Sequence, residues 1–209
     1  MAEADELSGR PLSRREFLVG ASATLALGTV ACAPGTPSGP LSARIPSEDP
    51  TWVSATELLA RIARRELSPV EVVDHYLDRI ARLDAELHAY VTVDAEGARE
   101  AARDAERTVL AGAPLGRLHG LPISIKDLVV TRGLRTTRGS AVYRDFVPEQ
   151  DEIQVERLRR AGAIVIGKTN TAEFGGFTRT KTLVAGETRN PWQLDRISGA
   201  SSGGAGAAV

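Results

Sequence analysis

Residues 121–130 read Leu-Pro-Ile-Ser-Ile-Lys-Asp-Leu-Val-Val, LPISIKDLVV, a compact apolar run rich in β-branched side chains. Runs of this kind form buried strands, because a branched Cβ packs well on a pleated sheet and loses rotamer freedom in a helix. Ala163-Ile-Val-Ile166 is a second such run. Between the two, Ile153 to Ala161 reads as a helix that Gly162 stops. Short apolar strands interleaved with helices predict an α/β fold, a mixed β-sheet covered by helices on both faces.

Upstream of Leu121 the pattern is helical. Ser54-Ala-Thr-Glu57 has a hydroxyl and a carboxylate at capping-box spacing, followed by Leu58, Leu59 and Ile62. Ser68-Pro69-Val70-Glu71 repeats the device with proline at the first helical position. Val70, Val73, Leu77 and Ile80, with Leu83 extending them, then recur at steps of three and four, an apolar face of about four turns. Ala95 to Leu110 predicts a third helix, ended by Gly112 and Pro114. These helices are expected to wrap the sheet.

With 209 residues, 42% of them hydrophobic, the chain can bury a core of ordinary domain size. Lys+Arg 26 against Asp+Glu 27 leaves a net charge of −1, which excludes an electrostatic footprint for nucleic acid. Cys32 is the one cysteine, so no intrachain disulfide forms, and His75, His88 and His119 lack ligand spacing. No metal or cofactor is implied.

Ser13-Arg14-Arg15-Glu16-Phe17-Leu18 precedes the weakly polar run Leu18 to Ala31. That run is too short to cross a ~30 Å hydrocarbon core but fits the apolar part of a signal peptide. It resembles the twin-arginine signal of bacteria, with Val19 where a lysine is frequent, which implies the twin-arginine export machinery as a partner and a periplasmic or extracellular destination. Thr29-Val-Ala-Cys32 looks like a degenerate lipoprotein box, so a lipid anchor at Cys32 is the one membrane attachment expected. Removing residues 1–33 deletes Arg10, Arg14 and Arg15 with Glu3, Asp5, Glu6 and Glu16, leaving 26 − 3 = 23 basic and 27 − 4 = 23 acidic residues. Residues 34–50, PGTPSGPLSARIPSEDP, predict a flexible Pro/Gly/Ser linker, and residues 51–209 the folded domain.

Two features of that domain can carry chemistry. Lys126 ends an apolar strand, where an ammonium must find partners or give up its proton; the plain alternative is a lysine reaching out toward Asp127. The loop at Arg196 to Val209, RISGASSGGAGAAV, offers three hydroxyls among small residues. It is not a Walker loop, since no lysine follows Gly203 or Gly204. Nor is it a dinucleotide fingerprint: Val209 stands at the third glycine position, and RNPWQLDR before the loop reads as no strand.

Four blocks in order, GRLHGLPISIKD at Gly116–Asp127, AGAIVIGKTNTAEF at Ala161–Phe174, GETRNPW at Gly186–Trp192 and SGASSGG at Ser198–Gly204, resemble the amidase signature family. The resemblance implies a small-molecule amide substrate and hydrolysis by a Ser-cisSer-Lys triad through an acyl-enzyme. It makes Lys126 the catalytic lysine and Ser201 the bridging serine, held by a cis peptide bond. Burial is then expected to keep Lys126 uncharged at working pH, deep in the core, so that it accepts a proton through Ser201. Glycines 199, 203 and 204 let the backbone turn and approach there. Ala200 departs from the family's commoner glycine. Ser202 supports the loop or caps the helix that follows, and Gly175 falls where the family places substrate-pocket backbone, or else is a plain turn in FGGF. Both are candidate substrate-binding residues. Asn170 and Thr169 are expected to hold the loop after the second strand.

The family's nucleophile serine follows the bridging serine by roughly two dozen residues, beyond Val209. The chain is therefore expected to be an N-terminal fragment, inactive alone. Two alternatives stand beside the amidase. One is a glutaminase like the amidotransferase subunit that works on charged transfer RNA, which the export signal disfavours. The other is a catalytically inactive exported binding module.

Overall fold

Ser54 opens a helix as its spacing predicts. In the computed structural model, which describes residues 49–209, its Oγ accepts from Glu57 N at 3.2 Å at the start of α1 (Ala55–Ala63). A 3₁₀ turn, Pro50–Trp52, precedes it, with the Asp49 carboxylate accepting from Thr51 N at 2.9 Å. Pro50 thus belongs to the fold and not to the linker, because its locked φ suits the first position of a helical turn. The twin-arginine motif, Cys32 and the linker up to residue 48 lie outside the described residues.

The second helix, α2 (Pro69–Leu87), has a complete capping box: Val70 N donates to Ser68 Oγ and Ser68 N to Glu71 Oε2, each at 2.9 Å. It runs about five turns, one more than its apolar spacing predicts. No glycine ends it. His88 takes the left-handed conformation instead (φ 52°), while Asp84 Oδ1 accepts from Ala89 N at 2.7 Å and Tyr90 N at 3.1 Å. A strand that the sequence reading passes over follows, β1 (Tyr90–Val93), and then α3 (Ala95–Leu110), capped by Asp94.

The run at 121–130 yields only five residues of strand, β2 (Pro122–Lys126). It stops because Val129 N turns back to Lys126 O at 2.9 Å and Asp127, its N–H still on Thr169 O, gives its carbonyl to Arg138 N and its carboxylate to Thr137. After α4 (Ile153–Arg160) and Gly162 at φ 92°, β3 (Ile164–Thr169) is buried at every residue. β3 is central: β1 pairs with it antiparallel and β2 parallel, a mixed sheet of order β1-β3-β2. One face packs Ile164 and Ile166 on Val73, Leu77, Ala98 and Ala102 of α2 and α3. The other packs Ile125 and Val165 on Val155 of α4 and on Leu134. The α/β fold with helices on both faces is as predicted.

Two small antiparallel ladders follow, β4 (Lys181–Thr182) with β5 (Gly186–Glu187), and β6 (Arg189–Asn190) with β7 (Gln193–Ile197). The second corrects the reading of RNPWQLDR as no strand. β7 is exposed at all five residues, so no alternation of apolar side chains marks it. Asn190 Oδ1 accepts from Trp192 N at 2.9 Å to make the turn. The last element is α5 (Gly203–Ala208). Among the described residues no helix is long and apolar enough to cross a membrane, and no three His, Cys, Asp or Glu side chains group as metal ligands.

Candidate active site

β2 ends at Lys126, and the loop before α5 comes to meet it. Lys126 Nζ donates to Ser201 Oγ at 3.0 Å and to Ser202 Oγ at 2.8 Å. The lysine is half-buried and not deep in the core, because β2 is the edge strand among those described. Burial still holds its pKa below the ordinary lysine value. Asp127 does not pair with it. That carboxylate is buried beside Thr137, accepting from its N–H at 3.0 Å and its Oγ1 at 2.5 Å, and burial pushes its pKa up.

The loop is aimed from its backbone. Ser201 O accepts from Thr171 Oγ1 at 2.9 Å and from Ala172 N at 3.3 Å, and Ala200 O accepts from Thr180 Oγ1 at 2.5 Å. Its main chain fixed, Ser201 turns its hydroxyl toward Lys126. The expected cis bond is absent, since all peptide bonds among the described residues are trans; Gly199 at φ 104° makes the turn. Ala200 has no positive φ and needs no glycine. Gly204 is a true close approach: an added Cβ would lie 2.5 Å from Asn170 O and 2.6 Å from Ala89 O.

Ser202 occupies the N-cap position of α5 but makes no capping bond with its side chain, which faces Lys126 instead. Gly175 lies at φ 70° in a tight turn, its N–H donating to Ala172 O at 2.8 Å, and an added Cβ there would strike Leu128. Asn170 holds the loop as expected: its Nδ2 donates to Thr188 Oγ1 at 3.0 Å and His88 O at 3.3 Å. Thr169 acts only through its main chain, accepting from Asp127 N at 3.0 Å, while its buried Oγ1 has no partner. Paired with Tyr90 on one side and Lys126 on the other, Thr169 is held in the sheet, and its hydroxyl meets no acceptor of the loop.

A second buried lysine escaped the sequence reading. Lys168 in GKTN is fully buried, and burial lowers its pKa to about 8. The signal was there: an ammonium within the strand IVIGKT must find partners or give up its proton, as at Lys126.

Comparison with known proteins gives the assembly its kinship. A family profile described as Amidase matches residues 71–209. The chain belongs to the amidase signature family. It is 47% identical over 161 residues to a glutamyl-tRNA(Gln) amidotransferase subunit from Salinispora tropica, covering 77% of this chain and 33% of that protein. Among solved structures, this amidase-family chain is similar to the peptide amidase of Stenotrophomonas maltophilia, with a TM-score of 0.72 and 33% identity over 77% of this chain and 34% of that one. A bacterial aryl acylamidase of the amidase signature family gives 0.71 and 33%, over 75% and 33%. The chain spans about a third of the length of the curated relatives it matches.

Proposed function

We propose that this protein takes part in amide hydrolysis through an acyl-enzyme, with Lys126 as the base and Ser201 as the relay between it and a nucleophile serine. One observation carries the reading: an amine whose charge burial disfavours lies 3.0 Å from the Ser201 hydroxyl. A serine hydroxyl attacks a carbonyl only as a base removes its proton. That proton passes to Ser201 Oγ as the proton of Ser201 passes to Lys126 Nζ. The carbon–nitrogen bond then breaks as the same pair returns a proton to the leaving amine, and water opens the ester. Family resemblance supplies the nucleophile, which it places later in sequence than Ser201. Ser202 steadies the amine, and Gly175 lies on the substrate side.

A second reading is favoured by the curated relatives, whose names make them subunits of a glutamyl-tRNA(Gln) amidotransferase; its substrate would be glutamine. Residues 1–33 as a twin-arginine signal, with or without a lipid on Cys32, favour an exported amidase. A fusion of residues 1–50 to a reporter tests that part; cytoplasmic retention refutes it.

Because the chain spans a third of its relatives, hydrolysis is measured on the whole gene product. Simple carboxylic amides and glutamine are compared, with and without Lys126→Ala. The variant should lose about 10²–10⁴-fold in rate, the range for a positioned proton-transfer group. Undiminished turnover refutes the role of Lys126, and glutamine hydrolysed in preference to simple amides selects the second reading.

A further inference from the structure

Lysine occurs three times in this chain, at 126, 168 and 181, so 26 − 3 = 23 of its cationic side chains are arginine. Two of the three lie on neighbouring strands: in the parallel ladder Ile125 pairs with Lys168 and Lys126 with Thr169. The register slips just before, where Ile166 is passed over between Ile123 and Ser124. Irregularities of this kind re-aim the side chains that follow. Lys168 points to the turn after β2, Lys126 to the loop before α5.

All three ammonium donors of Lys168 are taken, by Val129 O at 2.5 Å, Thr136 Oγ1 at 2.9 Å and Thr131 Oγ1 at 3.0 Å, with Asp127 Oδ1 at 4.0 Å. Displacing any of these acceptors would strand a buried donor, so the cage resists movement. From it the bonds continue to both members of the site. Thr137, next to Thr136, binds Asp127, the residue after Lys126, and Asp127 N is tied to Thr169 O. In the other direction Thr137 Oγ1 accepts from Gly139 N at 3.1 Å, and Arg138 O from Phe174 N at 2.8 Å. Gly139 lies so close to the next loop that an added Cβ would come within 3.0 Å of Thr171 O. Thr171 in turn holds Ser201 O.

We propose that Lys168 is a positioning residue: by clamping the 129–136 turn, it sets, through Asp127 on one side and Thr171 on the other, the approach of Lys126 Nζ to Ser201 Oγ. This rests on the reading of Lys126 as the base. The charges acting on Lys168 are Asp127, Glu152 and Asp151, and the partners facing Lys126 are the two serine hydroxyls.

Three lysines make the test direct. The full chain is labelled with ¹³C at lysine Cε, the signals are assigned by Lys181→Arg and Lys126→Arg, and the Lys126 midpoint is followed with pH. In the parent it should lie below the ordinary ~10.4. In Lys168→Met it should rise toward that ordinary value as the amine leaves its partners for water. Thr136→Val, which removes one acceptor and is the milder change if Lys168→Met does not fold, should shift it the same way by less. Val72→Ala opens a cavity in the separate cluster of Leu58, Ile62 and Val109, away from this network, and should leave the midpoint unmoved. An unchanged midpoint in Thr136→Val and in folded Lys168→Met, or an equal shift in Val72→Ala, overturns the positioning role. A parent Lys126 that titrates at the ordinary value overturns the base assignment instead.

Discussion

Lys168 makes the stability of this chain depend on alkaline pH in a direction fixed by its burial. Its pKa is about 8 in the folded chain against 10.5 for a free side chain, a difference of 10.5 − 8 = 2.5 units, or about 3 kcal/mol at 1.36 kcal/mol per unit. The side chain has no exposed area, so solvent screening does not reduce this much. Between pH 8 and 10.5 the unfolded chain retains a proton that the folded chain has released, and stability therefore rises with pH across that window. Below about pH 8 both states hold the proton, and the folded state carries the whole cost. Urea unfolding of the parent and of Lys168→Met, taken at steps from pH 7 to 10.5, isolates the effect. Lost hydrogen bonds in the variant displace its curve by a constant amount, and Tyr76 and Tyr90, whose pKa values burial also shifts, cancel in the difference; taking both curves in a Lys126→Met background removes the one group whose midpoint the change at 168 also moves. The parent should gain about 3 kcal/mol on the variant from pH 8 to 10.5. A difference that stays flat over those pH values refutes the assignment of a buried, proton-losing amine to position 168.

Gly204→Ala puts a methyl group against Asn170 and Ala89 backbone that cannot retreat, and should cost about 1–3 kcal/mol by chemical denaturation with loss of the Lys126–Ser201 approach. Asn170→Ala strands the Thr171 N–H and leaves a gap between β3 and the residues at 186–188; a loss of about 1–3 kcal/mol is expected, and thermal unfolding unchanged from the parent would contradict it. Ser68→Ala removes the acceptor of Val70 N and the donor to Glu106 Oε1, and should cost about 1 kcal/mol, seen as a lower midpoint with the same urea m-value. Ser201→Ala in the whole gene product should reduce amide hydrolysis far more than Ser202→Ala, since only the former interrupts the proton path; equal losses measured as kcat would contradict the division between them.

What could be read from residues alone was whatever announces itself locally. Ser54 and Ser68 are side chains that cap, and the apolar steps behind them need a partner surface, so α1 and α2 were legible; α3 was legible as an alanine- and charge-rich run closed by Gly112 and Pro114. The strand at Ile164 was legible because it is buried on both sides. β1 was passed over because Tyr90 to Val93 is four residues long and only partly buried. β6 and β7 escaped for a related reason, since an exposed ladder has no periodic demand on side chains. Within the site, Lys126 was visible as a charge at the end of an apolar run, but its partner lies 75 residues away, and only family resemblance joined the two. Lys168 was overlooked although the same physics applied, because the reasons for its burial, Thr131 and Thr136, stand in a turn with no pattern of its own.

The anchoring of Ser201 by its carbonyl has a mechanical consequence. With its main chain held by Thr171 and Ala172, the residue keeps one freedom that matters, rotation of the hydroxyl hydrogen about the Cβ–Oγ bond. A rotor of that sort can pick up a proton on one side and release another toward the amine while every heavy atom stays where folding left it. Solvent has little to rearrange when only hydrogens travel.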